Sequence, residues 1–320
     1  PDDATSVVLN VTVDGPEANG FLTVFPCGSP IPLASNANFV EGQTVPNSVT
    51  AAVGANGKVC IYTTAMTNII VDLNGAYSPT EGGGKLFDLT PARLLDTRGE
   101  GMKLEAGHIR AVRVAGEGGV PADATAVVLN ITVDNPDTRG FVTVFPCGFA
   151  LPDASNLNFL TGQTIANSTT VGVDNAGMVC FYTSATTHLI VDVNAAYSPA
   201  FGTGELTWME PTRLLDSRRS GAKVIGGSIV ELVVAGVAGV PMGATAVALN
   251  VTVDSPDAGG YLTVFPCGVA MPNASNLNFV AAQTVPNAVL AAVGVGGKVC
   301  FFVTANAHLI VDVNAAYVPS

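Results

Sequence analysis

Six cysteines, three histidines and a recurring set of Ser, Asp and Asn are the residues of this chain with chemistry to offer. The cysteines stand at Cys27, Cys60, Cys147, Cys180, Cys267 and Cys300, in pairs 33 residues apart. Six cysteines admit roughly 15 pairings. One of these closes each pair on itself, as Cys27–Cys60, Cys147–Cys180 and Cys267–Cys300. Two cysteines per pair, with no C-x-x-C and no histidine at a fixed place beside them, are too few ligands for zinc. The even spacing therefore predicts disulfides and an oxidising compartment. By the loop-entropy argument each would add about 3–4 kcal/mol.

The best catalytic set is Ser155, His188 and Asp192, repeated as Ser275, His308 and Asp312. Four residues along one strand separate each His from its Asp by about 13 Å. That is beyond hydrogen-bond reach, which a triad requires, and Asn68 replaces the histidine in the first copy. The chain reads as non-enzymatic. Asn10, Asp14, Asp72 and Asn74 recur in every copy, and oxygen donors suit calcium. No acidic Asp-x-Asp-x-Asp loop accompanies them, so no cofactor is expected and calcium stays as the alternative. A third set could read sugars: Asn36, Asn38 and Gln43, with Asn156, Asn158, Gln163, Asn276, Asn278 and Gln283 at the repeated places beside Phe39, Phe159 and Phe279. Such residues also tie loop backbones together in turn-rich β proteins, and the single Trp208 is a poor sugar platform.

These sets recur because the chain repeats itself. Residues 1–80 match 121–200 at 48 of 80 positions without a gap, and 241–320 align equally simply. Between them lie two related connectors, 81–120 and 201–240. The layout is a first core, 1–80, a second module, 81–200, and a third, 201–320. The first core predicts strands over Ser6–Val13, Phe21–Phe25, Asn38–Val40, Ser48–Val53, Val59–Thr63 and Asn68–Asn74, punctuated by turns such as Asp14-Gly15-Pro16. The connector adds Leu86–Leu89, Arg93–Thr97 and His108–Val114. Eight or nine strands per 120 residues predict an all-β fold of tandem β-sandwiches, jelly-roll or Ig-like, with one disulfide per repeat.

Ten of the 13 basic residues fall in the connectors, which are neutral, while the three cores carry −5, −5 and −2. Arg93, Asp96 and Arg98 sit in Pro-Ala-Arg-Leu-Leu-Asp-Thr-Arg, and Arg213, Asp216 and Arg218 in its copy. On a strand Arg93 and Arg98 point to opposite faces, and Asp96 shares a face with Arg98. The arginines are expected to bind connector to core through Asp72, Asp192 and Asp312 in the repeated Ile-Val-Asp-x-Asn strand. Which neighbouring core each connector completes is left open by the sequence.

A net charge of −12 argues against nucleic acid as a partner. The uncharged stretch Leu232–Leu249 is long enough to raise a membrane span, yet its counterpart Val112–Leu129 carries Arg113, Glu117 and Asp123. No transmembrane segment is read. The start at Pro1 reads as a processed or trimmed end, with an export signal upstream.

Taken together, Pro-Ala-Arg-Leu-Leu-Asp-Thr-Arg, Gly-Gly-Val-Pro, Val-Phe-Pro-Cys-Gly, Ser-Asn-Leu-Asn-Phe and Leu-Ile-Val-Asp-Val-Asn resemble the tandem modules of secreted actinobacterial cell-surface proteins. The resemblance covers essentially the whole chain and implies export and a surface role, often beside cell-wall amidases and other hydrolases, with no catalytic residue of its own. In that family's register a module begins with its connector, so the first core lacks one, and a longer chain or a neighbouring subunit would fill the gap. Mean hydropathy is +0.44, which favours a structural protein that partners itself in a filament or layer. An array binding cell-wall or surface glycan is the alternative. The structural reading predicts a buried Asn/Gln set and apolar contacts between modules; the glycan reading predicts an exposed set lining a groove.

Overall fold

The computed structural model describes residues 1–78 and 84–319, without the side chains of Asp88 and residues 208–211, so Trp208 falls outside the described side chains. The first module holds β1 (Ser6–Asp14), β2 (Gly20–Pro26), β3 (Ala37–Phe39), β4 (Val45–Ala52), β5 (Val59–Thr63) and β6 (Asn68–Tyr77). The second holds β7 (Lys85–Asp96), β8 (Ile109–Arg113), β9 (Ala126–Asp134), β10 (Gly140–Pro146), β11 (Leu157–Phe159), β12 (Ile165–Gly172), β13 (Met178–Thr183) and β14 (His188–Ser198). The third repeats these as β15 (Gly204–Asp216), β16 (Ile229–Val233), β17 (Ala246–Asp254), β18 (Gly260–Pro266), β19 (Leu277–Phe279), β20 (Val285–Ala292), β21 (Lys298–Val303) and β22 (His308–Pro319). Among the described residues no helix is long and apolar enough to cross a membrane.

In the second module β12-β9-β14-β7 form one half of an eight-stranded sheet, which continues into the third module as β15-β22-β17-β20 through the pairing of Leu86 with Gly204, and β11-β10-β13-β8 form the other layer. Counted from the start of the module, the orders are 6-3-8-1 and 5-4-7-2, the two interlocked Greek keys of a jelly roll. The third module has the same order. Its connector strands are thus the first two strands of the jelly roll that follows: β7 pairs with β14 and β8 with β13, as β15 pairs with β22 and β16 with β21. Among the described residues the first module has two three-stranded sheets, β4-β1-β6 and β3-β2-β5.

Alternation builds each core. Leu129, Ile131 and Val133 on β9 face Val142 and Val144 on β10 and Leu189, Val191 and Val193 on β14, all buried. The first connector segment is one strand, not two, because Lys85–Asp96 follows β14 along its length through two register shifts. Arg98 is not on that strand. It sits in a single helical turn, Thr97–Glu100, whose start is capped by Asp96. The turn after β1 needs a left-handed residue, and Gly15 (φ 59°), Asn135 and Ser255 (both φ 51°) supply it in the three copies. Each cysteine pair joins the turn after the Val-Phe-Pro strand to the strand paired with it, with Cα atoms 4.9, 5.0 and 5.1 Å apart.

Candidate functional site

The repeated polar residues converge where the three modules meet, and they close a circle. The Asn10 side chain of the first module donates to the Ser155 carbonyl of the second at 2.7 Å. Asn130 of the second donates to Ser275 of the third, and Asn250 of the third returns to Ser35 of the first, each at 2.6 Å. A second ring runs beside this one. Asn167 donates to Asn10 Oδ1 at 2.9 Å, Asn287 to Asn130 Oδ1 at 2.8 Å and Asn47 to Asn250 Oδ1 at 2.8 Å. Their own Oδ1 atoms accept the backbone N–H groups of Ser48, Ser168 and Ala288. Asn10, Asn47, Asn130, Asn167, Asn250 and Asn287 are all buried, so these bonds act away from water, where an unmade one is costly.

At one end of the pseudo-threefold axis the hydroxyls of Tyr77, Tyr197 and Tyr317 bond to one another. Burial pushes all three phenols above their ordinary range, Tyr77 and Tyr317 well above, which keeps their protons in place to donate. Beside them lies an apolar cluster of Leu86, Val128, Ala195, Ala248, Leu290 and Ala315, drawn from the second and third modules. Contact between modules is therefore apolar at its flank but polar at its centre, which corrects the expectation of a mainly apolar seam. A cavity of about 30 Å³ beside the three tyrosines, lined by them with Ser48, Ser168 and Asn314, is polar and roomy enough to hold water.

The connector arginines dock as bidentate pairs. Arg93 Nε and Nη2 donate to Asp192 at 2.7 and 3.0 Å, and Arg213 does the same to Asp312. Each carboxylate also reaches the next module: Asp192 accepts from the Ser275 N–H and Asp312 from the Ser35 N–H, both at 3.2 Å. Burial pushes the Asp192 carboxyl up, and the Arg93 guanidinium pulls against it. Burial is the largest influence on Arg93 and works against its charge, but the hydrogen bond and charge of Asp192 together with the charge of Asp96 hold Arg93 above its ordinary value. Asp72 departs from the expected pattern. No basic side chain among the described residues reaches it, because the strand that would carry its arginine belongs to the connectors, and both connectors serve the later modules.

Arg98 and Arg218 fold back on Asp96 and Asp216 at 2.7 and 2.9 Å and extend towards Asp134 and Asp254. The hydrogen bond from Arg98 holds the Asp96 carboxyl below the ordinary carboxylate range. That from Arg218 lowers Asp216 to about 2. A lowered folded-state pKa favours folding above the unfolded value, and the gain disappears as pH falls towards the folded one. Stability measured by urea unfolding is therefore expected to fall between about pH 4 and pH 2, and Asp216→Asn should make that fall shallower. An unchanged slope in the variant would show that Arg218 contributes nothing through this carboxyl.

The remaining candidates lie apart. His188 and His308 bond Thr97 and Ser217 through Nδ1, while the Ser155 hydroxyl accepts from Asn158, so the Ser/His/Asp sets do not assemble. The proposed calcium donors turn to different partners: Asp14 accepts from Thr44 and Asn10 binds the Ser155 carbonyl. No cluster of three metal-ligating His, Cys, Asp or Glu is found among the described residues. The amide set does not line an open groove. Asn36, Asn156 and Asn276 are buried, each accepting from the backbone of Val24, Val144 or Val264. Asn38 and Asn278 reach Thr252 and Thr132 of neighbouring modules, and Asn158 stays within its own. Gln43, Gln163 and Gln283 accept from the N–H three residues earlier in their own loops. An open cleft of about 350 Å³ contains Arg93, Arg110, Arg113, Glu100 and Glu117. Val230 and Val233 replace two of those arginines in the third module, so the cleft is not a repeated feature.

The chain matches no family model and no curated protein. It is similar to the atomic structure of Sulfolobus turreted icosahedral virus, with 8% identity over 99% of this chain and 81% of the other and a TM-score of 0.19. It is also similar to a structure described as the triple jelly roll fold and turret assembly in an archaeal virus, with 8% identity over 100% of this chain and 81% of the other, again at a TM-score of 0.19. At that score the likeness carries no argument, and the jelly-roll assignment stands on the strand order of this chain.

Sequence reading did not pick out the tyrosine trio or the roles of Ser35, Ser155 and Ser275. Their one signal is identity at all three repeated places. Residues on the outer surface of the modules, such as Phe149, Leu160 and Val280, vary between copies instead.

Proposed function

We propose that the chain is a non-enzymatic, extracellular structural protein of the bacterial cell surface, in which three jelly rolls form one rigid block that assembles with its own kind into a filament or layer. The closed circuit of buried bonds carries this reading, because it commits the repeated polar residues to joining modules. Three disulfides suit an exported protein. Exposed Leu33, Met66, Phe149, Met242 and Val295 leave apolar surface for contacts between blocks. A glycan-binding array would need the amide set at the surface, and most of its groups are engaged internally.

Light scattering and negative-stain microscopy of the purified chain, over a concentration series, test the proposal. Ordered fibres or sheets with a repeating compact unit are expected. A monodisperse monomer at every concentration would overturn the self-assembly reading. Saturable binding of that monomer to isolated cell wall would turn the assignment towards adhesion.

A further inference from the structure

An apolar row crosses the outer sheet of each module. In the second module Phe141 on β10, Tyr182 on β13 and Ile109 on β8 lie on the face opposite buried Val142, Phe181 and Val112. Tyr182 stands beside Ile109 in the ladder, and its ring centroid is 6.0 Å from that of Phe141. Leu160, two residues past the Asn158 that faces Phe141, extends the row at its other end. The third module repeats it with Val280, Tyr261, Phe302 and Ile229, its rings 6.2 Å apart. The first has Val40, Phe21 and Tyr62, again with rings 6.2 Å apart.

The row stays apolar in every copy although it meets water. Val40, Leu160 and Val280 are 44, 59 and 57% exposed, and Ile109 and Ile229 are 52 and 50% exposed. Other exposed apolar positions change character: Leu33 becomes Asp153 and Asn273, and Met66 becomes Thr186 and Asn306. With about 150–250 Å² for a whole aromatic side chain, each row leaves roughly 300 Å² of apolar surface. Patches of that size mark interaction sites.

The chemistry of the row fits a second copy of this chain. The row has no charged side chain, in a chain of net charge −12. When two copies join through the same patch, a charge in it would meet a like charge. The row also runs into a junction already made between jelly rolls. Asn38, opposite Phe21, and Asn278, opposite Tyr261, reach Thr252 and Thr132 of neighbouring modules. One row against another would bury about 600 Å² in total, below the roughly 1,200–2,000 Å² of a stable pair. A single contact is therefore weak, and several must act together.

We infer that the three rows are where blocks meet, row against row, and that the chain assembles as a layer rather than a filament; this rests on the self-assembly proposed above. Asn130, Asn167 and Asp192, which join the modules around the axis, belong to the other sheet of the sandwich. The rows thus face outward in three directions. Three contacts spread around one axis extend an assembly in two dimensions, whereas a filament needs two contacts.

Negative-stain microscopy and light scattering of the full chain and of variants with a carboxylate in the rows test the inference. Leu160→Glu alone leaves two rows and should turn sheets into ribbons one block wide. Adding Val40→Glu and Val280→Glu should raise the concentration at which assembly begins at least tenfold. Near-ultraviolet circular dichroism should match the unaltered chain, and serine at the same three places repeats the test without added charge. Met102→Glu, the same charge outside the rows, should keep the sheets. Sheets that persist in both triple variants would overturn the rows as contacts and leave self-assembly standing, and fibres from the unaltered chain would overturn the layer on the same terms. An unaltered chain that stays monomeric would overturn this inference and self-assembly together. Saturable binding of cell-wall polysaccharide to that monomer, lost in the triple variants, would make a glycan the occupant instead.

Discussion

Asp192→Asn is expected to lower stability by about 3–5 kcal/mol, the cost of removing one partner from a buried ion pair. The substitution breaks the bidentate bond to Arg93, which is three-quarters or more buried, and weakens the bond to the Ser275 N–H of the next module. Asp312→Asn should do the same through Arg213 and Ser35. Asp72→Asn, at the same place in the repeat, should be neutral or stabilising. No basic side chain among the described residues pairs with Asp72, so the amide breaks no ion pair there, and it removes the cost of burying an unpaired carboxylate. Chemical denaturation of the three variants at pH 7 separates these outcomes. Equal losses at all three positions would mean that the arginine pairs are not what distinguishes the complete modules.

Asn287→Ala is the second large effect. Asn287 donates to Asn130 Oδ1 and to the Asn276 carbonyl, and accepts from the Ser168 N–H. Alanine leaves those three buried groups without a partner, at about 1–3 kcal/mol each, so a loss of at least about 3 kcal/mol is expected. Two of the groups belong to the second module, so cooperativity should suffer as well. Calorimetry should show one transition for the unaltered chain and a broadened or split one for the variant. A sharp single transition with a loss below about 1 kcal/mol would mean that the ring contributes little to joining the modules.

Much of the fold was legible in the residues. Val and Thr alternate through Ser6–Asp14, and Asp-Gly-Pro closes that strand, so its limits could be read to within one residue. Arg93 and Arg213 could be matched to Asp192 and Asp312 because few charges exist and they repeat at fixed places. Asp72 was grouped with these because its sequence context is the same. The residues by themselves left the direction of each connector open, although the resemblance implied that it opens the module after it, and the ladder pairs each connector with the core that follows it.

The amides show the converse limit. A repeated Asn beside Phe39 reads equally well as a sugar contact or a buried tie, since both need an amide with free donors and acceptors. Burial separates the two readings, and burial here depends on the neighbouring module. The circle itself was not legible. A tandem repeat suggests a string, whereas the bond between Ser35 and Asp312 joins residues 277 apart and brings the third module back to the first. No local pattern encodes a contact that long.

That closure is the central claim, and small-angle X-ray scattering of the monomeric chain tests it most directly. Three modules packed around one axis predict a radius of gyration of about 20 Å, the value for a compact chain of this length. Three jelly rolls strung end to end would give about 30 Å or more. The smaller value, with a compact distance distribution, is the predicted result, and the larger one would contradict the ring.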